Sequence, residues 1–366
     1  MDDNKGKDLQ QAPDYKHHHH HHRLHFHVWR WISSIVLVIV LFVVGGAYYV
    51  YHTLHSTADH TYVPLDSQNS SDLILKKSKP ISILLMGTDT GALGRTETNG
   101  RSDTMIVATL NPSKKTTTIV SIPRDTMAKM IGYGGINIQK INAAYSIGGA
   151  DMAVKTTTSL ISAPISYYAV INMGGLEKIV DSLGGIKVTP TISFHNSGYT
   201  FTKGRSTDLN GKMALAYIRM RYNDPKGDYG RQDRERQVIT AVIKTAPALS
   251  NLTKFEQLMN QVQSNFRTNL SFDDMVTLYS KYKDAGKHVK QDHLQGVGTY
   301  LNGSSYQIAS TKELQRISNL VNQSLDLPTQ PVNNEETKQN TLNPQFNWNV
   351  DNSNVEYIIH GADQVN

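Results

Sequence analysis

Residues 81–122 read ISILLMGTDTGALGRTETNGRSDTMIVATLNPSKKTTTIVSI. Three short runs in this stretch decide the fold class: ISILLMG (Ile81–Gly87), TMIVATL (Thr104–Leu110) and TTTIVSI (Thr116–Ile122). The first is a continuous apolar run closed by glycine, which predicts a buried strand. The other two are rich in β-branched side chains, which crowd a helical turn but pack well on a pleated surface. Asn111, Pro112 and Ser113 between them favour a turn, so the pair is predicted to form a hairpin.

Downstream, strand and helix patterns are interspersed. Gly149–Ile161 carries helical spacing, with Met152, Ala153, Leu160 and Ile161 apolar, and SYYAVINM (Ser166–Met173) reads as a strand. Leu176, Ile179, Val180 and Leu183 share one face of a short helix that Gly184 and Gly185 stop, and IKVT (Ile186–Thr189) is a strand ended by Pro190. Asn210–Arg221 is a helix around Met213, Leu215 and Ala216 that runs into YIRMR, read as extended, which would turn Arg219 and Arg221 to the same side. A longer helix, Arg231–Leu249, points Val238, Ile239, Val242 and Ile243 inward, and Phe255–Phe266, Phe272–Tyr282 and Lys312–Leu325 add further helices. The mixture implies an α/β or α+β domain of three layers. From Thr329 the chain is rich in Asn, Gln and Thr, which predicts a disordered tail.

Upstream, WISSIVLVIVLFVVGGAYYVY (Trp31–Tyr51) has no charge and the length needed to cross a bilayer. Trp29, Trp31, Tyr48, Tyr49 and Tyr51 suit its two interfaces. Arg23 and Arg30 precede it and no Lys or Arg follows until Lys76, so the N-terminus is expected in the cytoplasm and the rest outside. The alternative, a cleaved signal peptide, is disfavoured by the length of the apolar stretch and by the tyrosines after Gly45-Gly46-Ala47. His17–His22 is a tract that can bind metal, with an expression tag and a native low-complexity tail as the other readings, and it receives no function.

The 366 residues carry a net charge of +6 and no cysteine. Disulfides, thiolate metal sites and a cysteine nucleophile are thereby excluded. A mild positive excess suits an anionic ligand but does not argue for nucleic acid. P-loop, G-x-S-x-G and H-E-x-x-H patterns are absent, which disfavours nucleotide hydrolysis, serine hydrolysis and zinc proteolysis.

Charged residues gather at the strand ends. Asp89 follows the first strand, Arg101 and Asp103 precede the second, and Arg124 and Asp125 close the third in SIPRD. Lys140 lies in QKINAAY, Arg219 and Arg221 in YIRMR, and Asp228, Arg231 and Arg234 in GDYGRQDRERQ. Arginine donates paired hydrogen bonds to phosphate oxygens and stays charged at any relevant pH. Aspartates among arginines are either ion-pair partners or ligands for a hard cation, and Mg²⁺ takes a few carboxylates together with ligand phosphates. Any one of these motifs alone reads as a solvated surface pair. Their shared placement at the ends of buried strands describes a pyrophosphate site.

The ordered series LLMGTDT, GRSDTMIVATLNP, SIPRDT, KINAAYSIGG, YYAVINMGGLEKIVDSLGGI, LNGKMALAYIRMR and GDYGRQDRERQ resembles the LytR-CpsA-Psr family from about Ile81 to Leu249, and more loosely to Leu325. The resemblance implies an α-β-α sandwich with a mixed central sheet. It divides the chain into a cytoplasmic tail (1–30), a membrane helix (31–51), a stalk (52–79), a catalytic domain (80–326) and a polar tail (327–366). It implies a phosphotransferase that moves a phosphoglycan, such as wall teichoic acid or capsule, from an undecaprenyl-pyrophosphate carrier to peptidoglycan. Mg²⁺, with Mn²⁺ as a substitute, would be held by Asp89 and Asp103. Arg101, Arg124, Lys140, Arg219, Arg221, Arg231 and Arg234 would bind the pyrophosphate, with Arg101, Arg124 and Asp228 catalytic. Asp228 would orient an arginine or assist proton removal, and metal activation of the hydroxyl is equally open. Other readings are a lipid-carrier-binding module without turnover and an envelope transcriptional attenuator. Two departures stand out: the loop Thr90–Gly100 is long, with Arg95 as a substitute arginine, and Glu235 stands where the family often has glutamine.

Overall fold

The computed structural model describes residues 61–65, 75, 77–88, 100–134, 137–221, 224–246, 252–301 and 304–342. The membrane helix expected at 31–51, together with Asp89 and Arg95, lies outside the described residues. Among the described residues no helix is long and apolar enough to cross a membrane.

The three opening runs form β1 (Ile81–Thr88), β2 (Ser102–Asn111) and β3 (Thr116–Ser121), an antiparallel meander in which Leu84 faces Val107 and Val107 faces Val120. Side chains alternate across a strand. Leu84, Met86, Met105, Val107 and Val120 therefore enter one core, while Ile81, Ile83 and Leu110 enter another on the opposite face.

A short pair, β4 (Met127–Lys129) and β5 (Ile138–Lys140), leads into α1 (Ala143–Ile161), which is interrupted by non-helical Gly148 and Gly149. β6 (Tyr167–Asn172) adds to β1 in parallel and passes directly into α2 (Met173–Ser182). β7 (Ile186–Val188) pairs with β10 (Thr207–Leu209) around a hairpin of β8 (Phe194–Asn196) and β9 (Tyr199–Phe201). Then come α3 (Gly211–Arg219), α4 (Asp228–Thr245), α5 (Leu252–Val262), β11 (Phe266–Thr268), α6 (Phe272–Lys281) and β12 (His288–His293). The described chain ends with the hairpin of β13 (Val297–Leu301) and β14 (Ser304–Ile308), then α7 (Thr311–Ser324) and α8 (Glu335–Leu342).

The main sheet runs β11-β6-β1-β2-β3-β12, and it is mixed because β6 is parallel to β1 and β12 to β3. Leu160 and Ile161 of α1 and Leu314, Ile317 and Val321 of α7 cover one face. Met259 and Val262 of α5 and Phe272 and Met275 of α6 cover the other. β1, β3, β6 and β12 all finish at the same edge, where β2 begins. Open α/β sheets bind ligands outside the carboxyl ends of their strands.

Three expectations are corrected. YIRMR is not a strand: α3 continues through Arg219, and the Met220 that follows it is extended. Ala214, Ala216 and Tyr217 are buried together against β7, β9 and α4, and the helical period satisfies that packing. The segment assigned to a stalk joins the sheet at 61–65, where Tyr62 bridges Thr268 and Val63 N–H donates to the Thr268 carbonyl at 2.8 Å. The free edge of β11 supplies the backbone groups for this pairing.

The polar tail is folded as far as Leu342. Its contacts are largely side-chain amides, with Val332 reaching the core, which explains why composition hid it. Asn334 Nδ2 donates to the carbonyls of Ser159 and Leu160, and Asn340 Nδ2 to that of Ala309, at 2.9–3.0 Å. Glu336, its pKa raised by burial, accepts from the Lys129 N–H at 2.7 Å. A chain shortened to end at Thr329 loses these bonds and buried Val332. The expected loss is on the order of 3–5 kcal/mol, which a thermal melt should read as a Tm lower by roughly 10–15 °C. An unchanged Tm would contradict the docking of α8.

Candidate active site

At the carboxyl edge of the sheet a cavity of about 560 Å³ opens between β1, β6, α2 and α4. That volume suits a small-molecule or lipid ligand. One end is apolar, walled by Leu85, Ile171, Leu176, Val238, Val242 and Phe266. The other end carries Asp103, Arg219, Arg221, Arg231 and Glu235. α4 builds both ends. Arg231, Glu235, Val238 and Val242 recur at helical spacing on one face, so two charged turns lead into two apolar ones.

Asp103, second residue of β2, organises the polar end. Its Oδ1 lies 3.1 Å from Arg124 Nη1 and its Oδ2 3.6 Å from Arg221 Nη2. Its main-chain carbonyl accepts from Arg231 Nη1 and Nη2 at 3.3 and 3.2 Å. Arg124, three residues beyond β3, also meets Asp125 at 3.5 Å, and Asp125 Oδ1 is 3.3 Å from Lys140 Nζ on β5. The Asp103 and Arg124 side chains are 24% and 25% exposed, so solvent and ligand can reach both.

Arg231 is held from its own helix. Asp228 in the first turn accepts from Arg231 Nε at 2.9 Å and from Gln232 Nε2 at 3.0 Å. Burial alone would raise the Asp228 pKa, but Arg231, Gln232 and Arg124 outweigh it and hold the carboxyl below its ordinary value. Glu235 Oε1 accepts from Arg231 Nη1 and, at 2.9 Å, from Thr104 Oγ1. Gly87 faces Thr104 across the β1–β2 ladder, and a Cβ there would stand 2.9 Å from Thr104 Cβ. The bare backbone at Gly87 thus lets Thr104 reach Glu235.

The structure brings Asp103, Arg124, Lys140, Arg219, Arg221, Asp228 and Arg231 to this edge of the sheet. Arg219 and Arg221 both line the cavity, from the end of a helix and the link after it rather than from one strand. Arg101 is exposed one residue before β2, at the same edge. Arg234 is corrected: its side chain is 2% exposed and pairs with Asp224, itself 3% exposed. It also donates to the Met220 carbonyl at 2.5 Å and lies 5.5 Å from the Phe194 ring centre. Arg234 therefore braces α4 against the α3–α4 link and does not face the cavity. Thr104 and the α2 wall were missed from sequence; only their neighbours, Asp103 and the Asn172–Met173 strand end, gave a signal.

For a divalent cation, Asp103 offers a partly exposed carboxylate beside the arginines, the donor type Mg²⁺ takes together with phosphate oxygens. Among the described residues no cluster of three or more His, Cys, Asp or Glu forms a protein-only cage. Asp103 fits a shared site that ligand oxygens complete.

Residues 48–323 match the LytR_cpsA_psr family. The chain belongs to the LytR-CpsA-Psr family. This LytR-CpsA-Psr protein is 43% identical over 297 residues to the polyisoprenyl-teichoic acid--peptidoglycan teichoic acid transferase TagU of Bacillus subtilis, covering 81% of this chain and 95% of that protein. It is 43% identical over 286 residues to the TagU of Enterococcus faecalis, covering 78% and 93%. The crystal structure of B. subtilis TagU superposes with a TM-score of 0.56 at 42% identity, over 69% of this chain and 100% of that one. A structure of TagT bound to LIIa-WTA superposes with a TM-score of 0.59 at 27% identity, over 73% and 100%.

Proposed function

We propose that this protein transfers a glycopolymer, wall teichoic acid in the first instance, from a polyprenyl-pyrophosphate carrier to peptidoglycan. The observation that carries the reading is a cavity that joins an apolar interior to an arginine-rich mouth. A lipid pyrophosphate has the same two-part character. The relatives named as teichoic acid transferases support the same reaction.

In the reaction an acceptor sugar hydroxyl attacks the phosphorus attached to the glycan. A new P–O bond forms, the bond to the carrier phosphate breaks, the hydroxyl proton passes to solvent, and polyprenyl phosphate leaves. Arg124, Arg219, Arg221 and Arg231 grip the phosphate oxygens and offset the charge that develops there. Asp228, held below its ordinary pKa and already accepting from Arg231 and Gln232, acts by positioning Arg231 rather than by taking a proton. Mg²⁺ at Asp103, when bound, supplies further charge neutralisation to the phosphates. The apolar walls hold the carrier tail, and an anchor at 31–51 keeps the site at the outer membrane face.

The test uses the full-length protein in detergent with a polyprenyl-pyrophosphate-linked glycan, peptidoglycan fragments and Mg²⁺. The expected products are polyprenyl phosphate and glycan-modified acceptor, both abolished by EDTA. Tight donor binding without turnover, across several donors, would refute the transferase reading in favour of a binding module.

A further inference from the structure

Glu235 is a carboxylate in the wall of a cavity assigned to an anion. It lies between the arginines and the apolar turns of α4, and its side chain is only 7% exposed. Both of its hydrogen bonds, from Arg231 and Thr104, end on Oε1. Arg231 is in turn fully engaged, by Asp228, by Glu235 and by the Asp103 carbonyl. A phosphate oxygen that takes a hydrogen bond from Arg231 must therefore displace one of these acceptors or share the guanidinium with it. Of these acceptors Asp103 and Glu235 both line the cavity, and Glu235 is the one that meets Arg231 there through a carboxylate, with Thr104 held against it.

The charged groups around Glu235 are Arg231 and Asp228 on its own helix, the neighbouring Arg236, Asp103 on β2, and Arg219 and Arg221 from the end of α3. Burial raises the Glu235 pKa, Arg231 and Thr104 pull it down, Asp228 and Asp103 raise it again, and the result is a carboxyl above its ordinary value. A bound phosphoanion adds negative charge and competes for Arg231, and both effects favour the neutral acid.

We propose that Glu235 couples occupancy of the arginine site to uptake of one proton. As the phosphoanion engages Arg231, a proton from solvent converts the Glu235 carboxylate to the acid, whose O–H then donates to a phosphate oxygen. The donor is held more tightly as pH falls, and a phosphodiester-bearing carrier is admitted without an uncompensated carboxylate beside it. This inference rests on the reading of the site as a pyrophosphate site. Glutamine at this position would donate a hydrogen bond at every pH. Glutamate makes the donor conditional on a proton.

The test measures binding of geranylgeranyl pyrophosphate esterified to N-acetylglucosamine, a diester that does not itself titrate near neutrality. Full-length protein in detergent is titrated calorimetrically between pH 6 and 8.5 at fixed Mg²⁺, in two buffers of different ionisation enthalpy. The wild type should take up about one proton per ligand toward the alkaline end, with Kd weakening by up to about tenfold per pH unit there. Glu235→Gln keeps the shape of the side chain and should show neither the uptake nor the slope, and should bind more tightly than wild type at pH 8.5. Wild-type binding without proton uptake, equal slopes in both proteins, or loss of binding in Glu235→Gln would each overturn the role of Glu235. No binding of this lipid by either protein would overturn the pyrophosphate-site reading itself.

Discussion

Replacing Arg124 by alanine should lower transfer by about 10²–10³-fold while leaving the melting temperature within a few degrees of wild type. Arg124 reaches the site from just beyond β3 and is a quarter exposed, so its removal opens no sealed cavity. Asp103 keeps Arg221 as a partner, and Lys140 still faces Asp125. In the proposed reaction what is lost is a guanidinium beside the transferring phosphate, and removing one such preorganised donor typically costs about 3–4 kcal/mol of barrier. The comparison to make is kcat/KM for glycan transfer against Tm for each protein. Full activity in Arg124→Ala would remove this residue from the mechanism and weaken the whole site assignment.

Arg234→Ala should behave in the opposite way, through stability. Its guanidinium and the Asp224 carboxylate are both sealed from solvent, and Arg234 also satisfies the Met220 carbonyl. Removing one partner of a buried pair strands the other charge, at a cost of about 3–5 kcal/mol. In a domain of this size that is a Tm fall of roughly 10–15 °C. Any activity loss should follow the unfolded fraction and vanish at low temperature. The double variant Asp224→Asn with Arg234→Met removes both charges and should recover much of the loss. A single variant as stable as wild type would contradict the buried placement. Two arginines of similar motif standing thus separate cleanly, one by rate and one by Tm.

Much of this architecture was legible in the residues. β1, β2 and β3 came from β-branched and apolar runs between turn formers, and their pairing follows the quoted pattern. The charged strand ends fall side by side because strands finishing at one edge bring distant motifs together. Three elements were hidden for identifiable reasons. β12 reads HVKQDH, and as a polar edge strand it lacks any apolar alternation. β13 and β14 stand on either side of Asn302-Gly303 in the sequence, a hairpin dipeptide whose signal is diluted because both strands are mixed in character. YIRMR alternates by chance, and the helical packing of Tyr217 overrides that local signal. The division of labour between Arg231 and Arg234 was not legible at all. Only the turn of α4 decides which guanidinium meets the cavity and which meets Asp224.

The length of α4 has one more consequence. From Arg231 to Val242 the helix rises about 16 Å, at about 1.5 Å per residue, whereas a bilayer's hydrocarbon core is about 30 Å thick. A long polyprenyl tail outmeasures this enclosure, so in the proposed reaction only its phosphate-proximal stretch leaves the lipid. That stretch trades one oily surrounding for another, and little water-exposed apolar surface disappears in the exchange. On the proposed reading discrimination then falls on the head group, and the tail contributes little to the choice of donor.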